Sequence, residues 1–147
     1  MTNPYGAGQP SERTAYGIVN RLIHLALAGE TLTIYGDGRQ LRDYIYIDDA
    51  VAALLTAGAS EATDGRVYNV GSGVGTPLVE MAHAIVRLTG RGRIALVPWP
   101  TLAEQIETGD FVADVSRMRA DTGWTPRTPL VEGLRRTIDT YRVHARV

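Results

Sequence analysis

The sequence predicts an α/β protein, a small mixed sheet of three or four short strands with four to five helices. Stretches with apolar residues at helical spacing alternate with short runs rich in β-branched and aromatic residues, and the two periods separate helix from strand. No linker-like stretch divides the 147 residues, and 44% hydrophobic with 21% charged content suits a packed core under a solvated surface. Residues 1–147 therefore read as a single domain.

Residues 1–14, rich in glycine, proline and polar side chains, read as an entering loop. Over 16–28, Ile18, Val19, Leu22, Ile23 and Ala26 recur at helical spacing, and Gly29 ends the run. Residues 31–35 read as strand and 36–40 as loop. Residues 42–47 read as a strand with Tyr44 and Tyr46 on one face and Ile45 and Ile47 on the other. Asp48 is placed to cap the next helix through the free N–H groups of its first turn, with Val51, Leu54 and Leu55 as the buried stripe to about residue 57. A strand over 66–70 follows. Thr76 as N-cap and Pro77 as first helical residue open a helix through Met81 and Ile85 to Leu88. Then come a strand over 93–97, a loop, strand-like 111–113 and a short helix capped by Asp114. After a turn marked by Trp124 and Pro126, the last helix carries Leu130, Leu134, Ile138 and Tyr141 on its apolar face. Thr-Pro-Leu-Val-Glu occurs at 76–80 and again at 128–132. The flanks differ, so this is shared capping chemistry rather than a repeat.

A net charge of −1 argues against binding to nucleic acid or anionic membrane by bulk electrostatics. The absence of cysteine excludes disulfides and cysteine-ligated metal. With no signal-peptide form and no apolar run of membrane length, the chain is expected to be soluble and cytoplasmic. His24, His83 and His144 lie on separate helices without ligand spacing, so no metal site is expected. Asp48 and Asp49 diverge at a helix start, which favours capping over an acid/base or metal pair. The run Gly71-Ser72-Gly73-Val74-Gly75-Thr76 sits between a strand and a helix, as a dinucleotide fingerprint does. Thr76 takes the place of its third glycine, however, and no acid ends the next strand, so it reads as a strand-to-helix turn.

Four segments in order point to a family: Asn3-Pro4-Tyr5-Gly6-Ala7-Gly8-Gln9; Tyr35-Gly36-Asp37-Gly38-Arg39-Gln40-Leu41-Arg42-Asp43-Tyr44-Ile45-Tyr46-Ile47-Asp48-Asp49; Tyr68-Asn69-Val70-Gly71-Ser72-Gly73; and Gly123-Trp124-Thr125-Pro126. The chain resembles the carboxy-terminal, substrate-binding portion of the extended short-chain dehydrogenase/reductase family, the NAD-dependent nucleotide-sugar epimerases and dehydratases. The resemblance implies the substrate-side part of an extended Rossmann-type enzyme, without its amino-terminal dinucleotide-binding half. It implies that Arg42 grips the diphosphate of a nucleoside-diphosphate sugar, and that Asn3 bonds the same diphosphate or the adjacent sugar. Tyr35 would lie against the nucleobase, Asp110 would contact the nucleotide, and the segment around Pro4 and Tyr5 would approach the nicotinamide of NAD. From the residues alone, Arg42 is a surface arginine paired with Asp43 or Asp37, Asn3-Pro4 is a turn, and Tyr35 is a core aromatic. The family usually has Arg-x-Gly-Asp ahead of Asp110. Glu107 holds that arginine's place here, and a carboxylate repels a diphosphate.

The family's Tyr-x-x-x-Lys pair is absent, because all 15 basic residues are arginine. No catalytic residue is therefore assigned. The chain alone is expected to be inactive and to bind no NAD, the cofactor half coming from elsewhere. The alternative is a non-catalytic ligand-binding or assembly module derived from the same domain. If the helices around Leu22 and Leu54 and the strand 44–47 normally pack on the missing half, their bare apolar faces would drive homo-oligomers or capture of a partner supplying that half.

Overall fold

The computed structural model describes residues 1–8 and 17–144. Residues 9–14 of the expected entering loop, Tyr16 at the start of the first expected helix, and the side chain of His144 lie outside the described residues. The chain forms β1 (Asn3–Tyr5), α1 (Ile18–Leu27), β2 (Thr31–Tyr35), β3 (Leu41–Tyr46), α2 (Ile47–Gly58), a 3-10 turn (Glu61–Thr63), β4 (Gly75–Pro77), α3 (Leu78–Thr89), β5 (Arg93–Val97), α4 (Thr101–Ile106), α5 (Ser116–Thr122) and α6 (Leu130–His144). The α/β class is as expected, with the strands divided between two small sheets. In one, β3 is central, parallel to β1 and antiparallel to β4; in the other, β2 and β5 pair in parallel.

The pleat of β3 separates two cores. Tyr44 and Tyr46 join Tyr5 and the apolar faces of α1, α3 and α6, where Leu22, Ile23, Leu32, Met81, Ile85, Leu134 and Ile138 are all buried. Ile45 faces the other way, onto Ala50, Ala53, Val70, Met118 and Trp124. Leu22 and residues 44–45 are thus covered by the chain itself, which corrects the expectation that they would be bare.

The phase of α2 is also corrected. Its buried residues are Asp49, Ala50 and Ala53, whereas Val51, Leu54 and Leu55 are 44%, 59% and 68% exposed. The chain passes from β3 into α2 without a turn, so the strand sets the helix phase, and only small side chains fit between the two. Tyr46 occupies the N-cap position and makes no side-chain cap bond; Asp48 lies inside the first turn. The carboxylate that caps is Asp49, and it serves a different element: its Oδ2 accepts the Thr128 N–H at 2.8 Å, just ahead of α6.

Residues 66–70 form no strand. They are held by the Thr2 N–H donating to the Val70 carbonyl at 2.9 Å and by Tyr68 Oη donating to Asp121 at 2.7 Å. Thr76 is not an N-cap either. It pairs with Arg42 in the β3–β4 ladder, and α3 begins at Leu78. In both copies of Thr-Pro-Leu-Val-Glu the helix begins at the leucine, because the preceding proline's fixed φ and missing N–H suit a boundary. Asp114 does serve the start of α5, its Oδ1 accepting the Ser116 N–H at 2.9 Å. The strand-like 111–113 contributes one bridge, Phe111 to Arg42, and α4 arises within the expected loop.

His24, on α1, packs its ring 4.3 Å from that of Tyr141, with its Nε2 buried. Burial pushes its pKa below the ordinary 6.5. The unfolded chain then takes up the proton first, and stability is lost as pH falls below about 6.5. In urea denaturation at pH 7.5 and 5.5, His24→Phe should show a smaller acid loss than wild type; an equal loss would assign the effect to the carboxylates.

Candidate functional site

Three successive residues of β3, Arg42, Asp43 and Tyr44, send their side chains to three different places. Asp43 is fully buried. Its Oδ1 accepts the Ser72 N–H at 2.7 Å and the Ser72 hydroxyl at 2.6 Å; its Oδ2 accepts the Gly73 N–H at 3.0 Å and the Ala113 N–H at 3.2 Å. One carboxylate thereby ties the 71–73 loop and the 113 segment to β3. The approach is so close that a Cβ on Gly71 would lie 2.5 Å from Asp43 Oδ2.

The same bonds decide the nature of the glycine run. A dinucleotide loop turns its free N–H groups toward the pyrophosphate. Here the Ser72 and Gly73 N–H groups point inward to Asp43, and Thr76 is in β4. The run does not fit a cofactor cradle; it is a bend that leads into β4 rather than the expected strand-to-helix turn, because β3 pairs with its last two residues.

Arg42 leans the other way, onto the loop after α4. Its Nη1 donates to the carbonyls of Leu41 at 2.9 Å and Gly109 at 2.6 Å, and its Nη2 forms a short ion pair with Glu107 Oε1. That oxygen also accepts the Gly109 N–H at 3.0 Å. Neither Asp43 nor Asp37 is its partner; Asp37 pairs with Arg39. Asp110 is exposed, and its Oδ1 accepts the Leu41 N–H at 2.7 Å while the Phe111 N–H donates to the Leu41 carbonyl at 3.0 Å. The 107–111 loop is thus bonded along the start of β3.

Asn3 stands opposite Tyr44 in the β1–β3 register, and its Nδ2 donates to the Asp43 carbonyl at 3.1 Å. Asn3-Pro4-Tyr5 is therefore strand and not turn. The Tyr5 side chain belongs to the core: it is 2% exposed, its hydroxyl donates to the Leu130 carbonyl at 3.1 Å, and burial raises its pKa strongly. Tyr35 ends β2 in the other sheet. It is 39% exposed, with its ring 5.5 Å from that of Trp99, so it is a surface aromatic rather than a core one. Trp99 in turn lies against Gly36, where φ is +65° and a Cβ would come within 2.4 Å of the indole nitrogen.

The structure thus brings Asn3, Arg42 and Asp110 together around β3 and leaves Tyr35 on the second sheet. Beside them is a cavity of about 310 Å³, whose lining includes Tyr44, Ser72, Thr76, Arg127, Thr128 and Leu130. The Tyr44 hydroxyl is buried and has no hydrogen-bond partner among the described residues, and burial raises its pKa strongly. Sequence reasoning missed the roles of Asp43 and Tyr44. The signal was in the motif, since strand alternation sends the middle residue of Arg-Asp-Tyr to the opposite face from its neighbours. Among the described residues no cluster of histidine and acidic side chains could hold a metal ion, and no helix is long and apolar enough to cross a membrane.

Comparison with known proteins agrees with this geometry. Residues 1–71 match the NAD dependent epimerase/dehydratase family. The chain is 35% identical to a UDP-glucose 4-epimerase of Mycolicibacterium smegmatis, over 95% of this chain and 43% of that protein. It is 29% identical to a dTDP-glucose 4,6-dehydratase of Xanthomonas campestris, over 95% of this chain and 40% of that protein. Among solved structures, it is similar to the UDP-glucose 4-epimerase of Thermotoga maritima with UDP-glucose, at a TM-score of 0.87 and 30% identity, covering 98% of this chain and 45% of that one. The chain therefore spans less than half the length of the relatives it matches. With a partial Rossmann-type fold and these ordered matches, the chain belongs to the NAD-dependent epimerase/dehydratase family.

Proposed function

We propose that this chain is the carboxy-terminal, nucleotide-sugar-binding portion of an NAD-dependent epimerase or dehydratase acting at sugar C4, with residues 1–147 as one substrate-binding domain that is inactive in isolation. One observation carries the reading. Arg42 is the second residue of the central strand of a sheet whose neighbouring strand presents Asn3 and whose edge loop presents Asp110, in a fold shared with an epimerase solved with UDP-glucose.

In this reading the guanidinium of Arg42 offers its planar fork to the diphosphate, a geometry that a point charge does not reproduce. Asn3 Nδ2 adds a donor toward the diphosphate or sugar, and Asp110 accepts from the nucleotide. Tyr35, backed by Trp99, gives the base a flat apolar face. Asp43 positions the site by holding the 71–73 loop against β3. NAD, when bound in the complete enzyme around Pro4 and Tyr5, supplies the hydride acceptor. No lysine in this chain can assist a catalytic tyrosine, so the proton chemistry comes from the dinucleotide-binding half. The exposed stripe Ile47, Val51, Leu54 and Leu55 on α2 supports a covering partner, either that half or a second copy. The alternative is a non-catalytic ligand-binding or assembly module, and the exposed stripe on α2 would serve its assembly equally well.

The test is calorimetric titration with UDP and uridine. Arg42→Ala should remove most of the preference for UDP, a loss of about ten- to hundredfold for a charge-assisted contact, and Arg42→Lys should recover only part of it. A UDP signal unchanged in Arg42→Ala would show that the motif is purely structural.

A further inference from the structure

The Arg42 guanidinium already holds an anion. Three of its contacts are internal, and the one bearing charge is Glu107, 65 residues away in the sequence. The pair is partly accessible, with side-chain exposures of 19% for Arg42 and 24% for Glu107, so an incoming ligand can reach it. Glu107 bonds Arg42 through Oε1 alone, and the same oxygen accepts the Gly109 N–H. A one-oxygen contact is held less firmly than the two-oxygen fork that a phosphate can make with arginine. The nearby charges do not favour a second anion: Asp110 adds a carboxylate in the same loop, and Arg39, across β3's entry loop, is paired with Asp37 and 84% exposed.

We infer that Glu107 is the specificity-determining residue of this site, an internal carboxylate that occupies Arg42 and must be displaced before a diphosphate can bind. The inference rests on the reading of Arg42 as a diphosphate clamp. Glu107 makes the site select by charge: a diphosphate meets both competition for the guanidinium and repulsion from the displaced carboxylate, whereas the nucleoside part of the ligand is indifferent to either.

The experiment titrates UDP and uridine into the wild-type chain, Glu107→Gln, Arg42→Ala, and the Arg42→Ala/Glu107→Gln double variant, with thermal melts to verify folding. Glutamine keeps the size and removes the charge. Glu107→Gln should bind UDP about tenfold more tightly than wild type, with uridine affinity unchanged, and the gain should vanish in the double variant. Glu107→Arg, which adds a second cation, should gain more. If UDP binding depends on Arg42 but Glu107→Gln binds no tighter than wild type, the clamp stands and the inference falls. If UDP binding ignores Arg42, or no variant binds UDP, the clamp reading falls and takes the inference with it. A gain that persists in the double variant would also overturn it, because displacement from Arg42 would not be its cause.

Discussion

Asp43→Ala is expected to cost about 4 kcal/mol of folding stability, among the largest losses a single substitution can cause. The carboxylate is fully buried and accepts four hydrogen bonds between 2.6 and 3.2 Å. Bonds to a charged group contribute about 1.5–3 kcal/mol each when deleted singly, though such contributions do not add. Alanine also removes the acceptor of the Ser72, Gly73 and Ala113 N–H groups, and of these Ala113 is buried away from water. Asp43→Asn keeps one acceptor oxygen and should lose about half as much. Urea denaturation followed by tryptophan fluorescence measures both, and a loss below about 1 kcal/mol for alanine would mean that water replaces the carboxylate at little cost. The functional consequence follows from position. Asp43 lies between Arg42 and Tyr44, and its bonds hold Ser72, which lines the cavity beside Tyr44.

Gly133→Ala should be the second large effect, and its sign is informative. Within a helix, alanine is ordinarily favoured over glycine by about 1 kcal/mol. At Gly133 in α6, however, a Cβ would lie 2.1 Å from Tyr5 Oη and 2.9 Å from Tyr46 Cδ2. Tyr5 cannot withdraw easily, since its ring packs edge-on to Tyr46 at 5.7 Å and its hydroxyl is bonded to the Leu130 carbonyl in the same helix. A net loss of about 2–3 kcal/mol is expected from overpacking. Tyr5→Phe removes the atom nearest the new methyl, so the double variant should be more stable than Gly133→Ala alone. A Gly133→Ala protein as stable as wild type in urea would show that α6 can move away from β1.

Much of this fold was legible in the sequence because its physical cause is local. The spacing of Val19, Leu22, Ile23 and Ala26 in α1, of Met81 and Ile85 in α3 and of Leu134 and Ile138 in α6 marks the faces that are buried. The alternation in β3 correctly placed Tyr44 and Tyr46 opposite Ile45. Glycine's tolerance of positive φ places turns at Gly29, Gly36 and Gly123. The resemblance, not a local pattern, assigned Arg42 and Asp110 to one ligand, and Asp110 accepts the N–H of Leu41, next to Arg42.

What the sequence left open is decided by partners distant in the chain. Asn-Pro-Tyr reads locally as a turn and becomes β1 only because β3 offers it a parallel ladder about 40 residues away. Thr-Pro opens a helix by local rules, yet β3 captures Thr76 as strand. In α2 the larger residues Val51, Leu54 and Leu55 outrank alanine on any hydrophobic scale, but the direct passage from β3 leaves room only for Ala50 and Ala53. By itself, then, the sequence determined the family and most of the periodic elements. Only tertiary structure decided that Asp43 rather than a ligand takes the loop N–H groups, and that Glu107 sits on Arg42. Both depend on contacts spanning 29 to 70 residues, and a local pattern holds no record of which distant group will arrive.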